Sequence, residues 1–393
     1  MKNNRYLMFA LLYFSQGSIM AFFTALNALY LRSFGLDMTR IGLIGTIALI
    51  PFVIKIFFGM LSDKYNLLGF GYRKPYIILG LVIQALCLLA VTMINPGINF
   101  FAYAGLAFLM MAGMALYDTC TDGLALDTTP KEEEGKIQGF MVGGRAAGMV
   151  VVSALIGLIA QYFSWTAAFI FLAVITLIPL PLVILSQEGE RTKERAFDWS
   201  AFSSFKKPAV IALGILGALY SLIINGANQL VNPFLSQEFG INLATAGFVS
   251  TVLGAGIVAG GLAGGTITDK IGQKRSVLSA LLIALISIAS LSLISSQWMV
   301  WVLVIIFGFA FGFYETVYFA ISMRETDGRI AATMFSILMA IANVGTGIGL
   351  GITGIMADNF GFRQSFIAIA LLNLLALPLM GVIFPRRSNQ QTY

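Results

Sequence analysis

The sequence predicts an all-α membrane protein of twelve transmembrane helices arranged as two parallel-repeat six-helix bundles, on three observations. Hydrophobic residues fill 58% of the 393 positions and charged ones only 11%, where a soluble domain carries about 25% charged residues. Apolar runs of about 20 residues, the length a helix needs to cross ~30 Å of hydrocarbon, recur twelve times between polar breaks. Several short signatures of the first half also return in the second in the same order, roughly 200 residues later.

Taken in order, the spans are expected at 7–31, 41–61, 75–94, 100–127, 137–159, 165–186, 209–235, 243–268, 276–295, 298–322, 331–356 and 363–384. A transmembrane barrel would instead show alternating segments of about 10 residues. The first run follows a basic Met1-Lys-Asn-Asn-Arg5 but is too long for a signal-peptide core, so it is expected to stay as a span. The fourth starts near Phe100 and reaches a charged turn around Pro130, beyond which the fifth carries Arg145. After the sixth comes the longest polar stretch, Ser186 to Trp199, which suits a cytoplasmic linker. The expected organisation is therefore a bundle over 1–186, a linker over 187–208 and a bundle over 209–393.

The repeats fix how the two bundles relate. Tyr117-Asp-Thr119 returns as Tyr314-Glu-Thr316, Glu134-Gly-Lys-Ile137 as Asp327-Gly-Arg-Ile330, and Asn27 to Gly35 as Asn232 to Gly240. Phe169-Ile170 and Phe366-Ile367 follow matching Ala-x-x-Phe runs. A repeat of six spans returns the chain to the same side, so the copies are parallel and related by an axis along the membrane normal. Glycines crowd the fifth, eighth and eleventh spans, which allows backbones to approach closely.

Charge placement sets the expected orientation. Of 24 Lys and Arg, only Arg32, Arg40 and Arg363 fall on the face opposite the linker, while Lys55 and Arg145 lie within spans. All the others collect on the linker face, which by the positive-inside rule is cytoplasmic. Both termini are then expected in the cytoplasm of a multi-pass protein of the inner or plasma membrane. The formal charge of +6 is thus topological and does not signal a nucleic-acid partner. Cys87 and Cys120 both fall inside apolar spans, with no disulfide expected. Histidine is absent, which leaves carboxylates as candidates for any proton relay. No Walker-type phosphate loop occurs, which disfavours ATP-driven transport. No catalytic residue, metal or cofactor is expected, and a monomer suffices.

Two motifs carry a resemblance. Gly265-Thr-Ile-Thr-Asp269-Lys270-Ile-Gly272-Gln-Lys274-Arg275 has a first-half counterpart in Gly59-Met-Leu-Ser-Asp63-Lys64, with Tyr65 to Tyr72 inserted before Arg73-Lys74. The loop between second and third spans of the major facilitator superfamily is similar to both, and essentially the whole chain resembles that superfamily. The resemblance implies a twelve-helix transporter in which Asp63 and Asp269, with Lys64, Arg73, Lys270 and Arg275, form an inner gate. Asp118, Asp122, Asp127 and Pro130, then Glu133-Glu134-Gly135 and Gly144-Arg145-x-x-Gly148, are similar to the branch holding muropeptide permeases and acetyl-coenzyme A transporters. At Tyr117 the muropeptide members commonly carry Gln.

The charges inside spans point to the site. An ionisable side chain at membrane depth costs a few kcal/mol unless it is paired or faces water. Asp118 and Asp122 are one turn apart on one helix face. A rise of ~1.5 Å per residue puts Asp122, Arg145 and Lys55 at similar depths, roughly 10 to 13 Å from their helix ends. Two acids so close make a double negative charge costly, so a proton can be held and released there, with Arg145 freed to bind an anionic or polar cargo. Asp118, Asp122 and Glu315, the repeat-mate of Asp118, are the expected proton-coupling groups. Arg145, Lys55, Gln16, Asn27, Tyr117, Asn225, Asn228, Gln229, Tyr314 and Asn343 are the expected cargo contacts, and Asp127 is expected at a gate or helix end. The expected activity is proton-coupled import of a polar or amphipathic small molecule. The alternatives are proton-driven efflux, and a non-transporting sensor or lipid scramblase on the same fold. Protons and membrane lipids are the other expected partners.

Overall fold

The computed structural model describes residues 2–385 other than 70, 130–132, 187, 189–202, 204 and 326–330. Twelve helices are long and apolar enough to cross a membrane. They are numbered here α1 (Arg5–Arg32), α2 (Met38–Ser62), α3 (Lys74–Val91), α4 (Phe100–Ala125), α5 (Gly139–Tyr162) and α6 (Trp165–Leu185) in the first half. The second half holds α7 (Pro208–Phe239), α8 (Leu243–Thr268), α9 (Gln273–Leu291), α10 (Gln297–Met323), α11 (Met334–Phe360) and α12 (Phe362–Ile383). Most of the linker expected at 187–208 falls outside the described residues.

Local chemistry sets the helix ends. Asp37, Ser164 and Asn242 each accept a hydrogen bond from a backbone N–H three residues on, the N-cap arrangement that satisfies otherwise orphaned donors. Gly240 closes α7 in the left-handed region at φ 61°, where a side chain would strain. Two spans are interrupted. A π-helical turn over Phe22–Leu26 interrupts α1. In α2 regular helix stops at Val53 and resumes at Lys55, with Pro51 in the preceding turn.

Each half has its own aromatic core near the end opposite the linker. Phe169 packs on Tyr30 with ring centroids 5.0 Å apart, and its repeat-mate Phe366 packs on Phe234 at 5.5 Å. Cys87 and Cys120 are both buried, and no disulfide joins them.

The halves meet along two seams, α2 against α11 and α5 against α8. Among the described residues, every hydrogen bond between halves lies from mid-depth to the end opposite the basic loops. Asp358 on α11 accepts from Met38 N (3.0 Å), Thr39 N (2.6 Å) and Thr39 Oγ1 (2.6 Å) at the start of α2. Arg32 donates to Gln237 at 2.8 Å, and Gln161 accepts from Leu243 N at 3.0 Å. Deeper, Thr46 donates to Gly347 O, Thr251 to Val150 O, and Asn232 to Ala25 O, at 2.7, 2.7 and 2.5 Å. Asn343 to Phe52 O, at 3.5 Å, is the last before the break in α2. Beyond it, Lys55–Lys64 packs principally on α4 of its own half. The interface is therefore closed at the end opposite the basic loops, and its described inter-half bonds stop at the depth of the buried charges.

Candidate substrate and proton site

Helix packing brings the charged residues together. α1 lies directly on α5 because a Cβ on Gly17 would meet the Arg145 carbonyl oxygen, one on Gly144 the Ala10 carbonyl, and one on Gly148 the Phe14 carbonyl. This backbone contact fixes Arg145 beside the turn of α1 that carries Tyr13 and Gln16, and both of those side chains reach α4. Gln16 Nε2 donates to Asp118 Oδ1 at 2.8 Å, and the Tyr13 hydroxyl donates to Asp122 Oδ1. From α2, Lys55 Nζ pairs with Asp118 Oδ2 at 3.5 Å. The break at Ile54 makes Lys55 the first residue of the resumed helix.

The result is a sorted set of charges. Asp118, only 5% exposed, has both oxygens occupied, one by a cation and one by an amide. A buried carboxylate held this way is compensated, whereas removing one partner would leave an unpaired charge in low dielectric. Asp122 and Arg145 are half-buried. The Arg145 guanidinium forms no ion pair among the described residues. Its charge nevertheless acts on Tyr13, on Asp122 and, from the other half, on Glu315. Glu315 on α10 is half-buried and faces this cluster across the interface.

The sequence placed Asp118, Asp122, Lys55, Arg145 and Gln16 at one depth, and the structure brings all five together. The expected pool of two acids and two cations is sorted in the structure: Lys55 takes Asp118, and Arg145 forms no ion pair among the described residues. Other expected contacts lie elsewhere. Asn27 is buried in the outer part of the first half, where its Oδ1 accepts from Tyr103 at 2.8 Å, so its valence is spent inside the bundle. Tyr117 and Tyr314 are 1% exposed and present no ring face to a cargo. Asn225 donates to Ser221 O (3.0 Å) and Thr346 Oγ1 (3.2 Å), and Gln229 to Leu350 O (3.0 Å), so both join α7 to α11. Asn343 bonds α2, and Asn228 remains half-buried on the same side of α7 as Asn225.

The gate residues divide similarly. Arg73 Nε pairs with Asp127 Oδ2 at 3.1 Å and its Nη1 donates to Ser62 Oγ at 2.7 Å, which ties the α2–α3 loop to the end of α4. Lys64 is exposed and stacks on the Tyr65 ring at 5.5 Å. Lys270 and Arg275 are exposed at the basic end. The side chains of Asp63 and Asp269 lie outside the described residues.

Three participants escaped the sequence reading. Tyr13 sits three residues before Gln16, on the same helix face, so helical spacing could have flagged it. Glu188 accepts from the N–H groups of Tyr72, Arg73 and Lys74 at 2.5 to 2.8 Å and caps α3 from the linker. Asp358 bonds a helix start 319 residues away in the chain, and no local pattern announces such a contact.

An ion-pair cluster at mid-depth between two six-helix repeats, closed at one end, defines a membrane solute transporter. The sequence agrees: the family model described as Major Facilitator Superfamily matches residues 6–326 and 213–392, and the chain belongs to that family. The chain is 27% identical over 263 residues to the sialic acid transporter NanX of Escherichia coli, covering 64% of this chain and 62% of that protein. Over 343 residues it is 23% identical to the anhydromuropeptide permease of the same organism, covering 84% and 68%. A solved structure of a bacterial homolog of the human lysosomal transporter Spinster, inward-facing and unoccupied, superposes with TM-score 0.80 at 17% identity, over 97% of this chain and 95% of that one.

Proposed function

We propose that this protein is a secondary transporter of the inner or plasma membrane that imports an organic anion together with a proton. With the basic loops in the cytoplasm, the closed outer seams describe an inward-open state. The observation that carries the proposal is that Arg145, which forms no ion pair among the described residues, lies beside a compensated Asp118. A guanidinium offers a carboxylate two parallel hydrogen bonds, and at this depth it is otherwise costly to leave without a partner. Asp118 is committed to Lys55 and Gln16, so within the first half Asp122 is the acid left to carry an exchangeable proton, with Tyr13 holding its orientation and Glu315 facing it from the second half.

Charge balance then gives coupling. Loading an anion alone onto Arg145 adds a negative charge to a cluster that already holds Asp118, Asp122 and Glu315, and a proton alone adds a positive one. Loading both leaves the net charge of the empty site unchanged, so the empty and doubly loaded forms are the ones that close most easily around a dry centre. The resemblance to a transporter named for sialic acid supports an acidic sugar derivative as cargo.

The test is uptake of N-acetylneuraminate and of an anhydromuropeptide into proteoliposomes with an imposed pH gradient. Acid outside should drive accumulation, and a proton ionophore should abolish it. Accumulation driven by acid inside would make the protein an exporter. Unchanged uptake in Arg145→Ala would remove the anion site.

A further inference from the structure

The outer surface of the second half carries an apolar groove of about 450 Å³ between α7 and α11 at the basic end. Ile211, Gly214, Ile215 and Leu219 form one wall, Ile341 and Ile348 the other, and Phe205 lies at the mouth. Ile211, Ile215 and Leu219 occupy a different stripe of α7 from Ser221, Asn225 and Asn228, so the groove opens outward to hydrocarbon and not into the chamber. Its floor exists because Gly214 has no side chain: a Cβ there would meet only the ends of Ile341 and Leu338, at 3.4 and 3.8 Å. From residue 210 to 222 the groove runs about 18 Å along the helix, comparable to one leaflet of a ~30 Å hydrocarbon core. Lys206 and Lys207, both exposed, follow Phe205 directly at the mouth.

We propose that this groove is a site for one anionic glycerophospholipid of the leaflet on the basic side, with an acyl chain along α7 and its phosphate at Lys206 and Lys207. Apolar length and cationic mouth occur together, and a lipid with a negative head matches both. Two lysines at a headgroup favour an anionic over a zwitterionic lipid. The site is independent of the cargo chamber. Because Phe205 to Lys207 join the linker to α7, an occupied groove ties that junction to the membrane surface.

Full-length protein in detergent is titrated with phosphatidylglycerol or phosphatidylcholine of identical chains, with bound lipid counted by native mass spectrometry and the thermal midpoint followed in parallel. Phosphatidylglycerol should be retained as one copy and raise the midpoint. Lys206→Ala with Lys207→Ala should weaken it roughly thirtyfold and leave phosphatidylcholine unchanged. Gly214→Leu, whose Cβ the site tolerates, should displace both lipids. Equal retention of the two lipids by the native protein would overturn the proposal, as would phosphatidylglycerol binding indifferent to either variant. Full competition by glycerol phosphate alone would also sink it, since the groove would then contribute nothing.

Discussion

Asp358→Asn should shift the protein toward the state opened at the outer end. The carboxylate accepts three hydrogen bonds from the first turn of α2, two of them from backbone N–H groups. Asn keeps one accepting oxygen and loses the charge that favours a helix N-terminus. A capping interaction is worth about 0.5–2 kcal/mol and the charge–dipole part about 0.3–1 kcal/mol. Because Asp358 is exposed, an effect of about 1–2 kcal/mol is expected, which is a five- to thirtyfold change in the ratio of the two states. Spin labels at exposed Arg40 and Phe360, flanking this seam on α2 and α11, report the ratio by pulsed dipolar spectroscopy: the variant should gain a long-distance population. Asp37→Asn is the control, since Asp37 caps the same helix from within its own half, and it should leave the distribution as it was. An unchanged distribution in Asp358→Asn, or an equal change in both variants, would refute the assignment of Asp358 as an inter-half latch.

Other outcomes follow from the charge cluster. Lys55→Ala leaves Asp118 buried and uncompensated and should lower stability by about 3–5 kcal/mol, read as a fall in thermal midpoint in detergent; adding Asp118→Asn should restore most of it. Arg145→Lys keeps the charge but not the fork, so it should raise the apparent KM for an anionic substrate about tenfold or more while leaving the fold intact. Tyr13→Phe removes the hydroxyl on Asp122 and should weaken the dependence of uptake on an imposed pH gradient more than it weakens substrate binding, a difference that isothermal titration beside flux would resolve. Glu188→Ala uncaps α3 and should cost about 1 kcal/mol, detected as faster hydrogen exchange at Arg73 and Lys74.

The architecture was legible because a bilayer writes it in long apolar runs: the expected start of the fourth span at Phe100 and the structural one coincide. Depth was legible too, since rise per residue converts sequence position into height, and Lys55, Asp118, Asp122 and Arg145 do meet. Azimuth was not. Height alone cannot say that Lys55 and not Arg145 reaches Asp118, because that choice rests on the α2 break at Ile54 and on the glycine contact that fixes α5 against α1. Asn27 shows the same gap: a polar residue in a span must find a partner, but its partner, Tyr103, lies within its own bundle. The aromatic residues beside the acids had the right height and proved to be core.

The inter-half bonds have an asymmetry with a lasting consequence. At four crossings, Thr46, Thr251, Asn232 and Asn343 supply a side-chain donor while the opposite helix supplies only a peptide carbonyl. A carbonyl is present whatever residue carries it, so the acceptor helices are free to vary in sequence without loosening these four bonds. Homologues should therefore record them as preferences at single donor positions, with no correlated substitution on the facing helix, and contact inference from paired variation would be blind to these four of the points where one bundle grips the other.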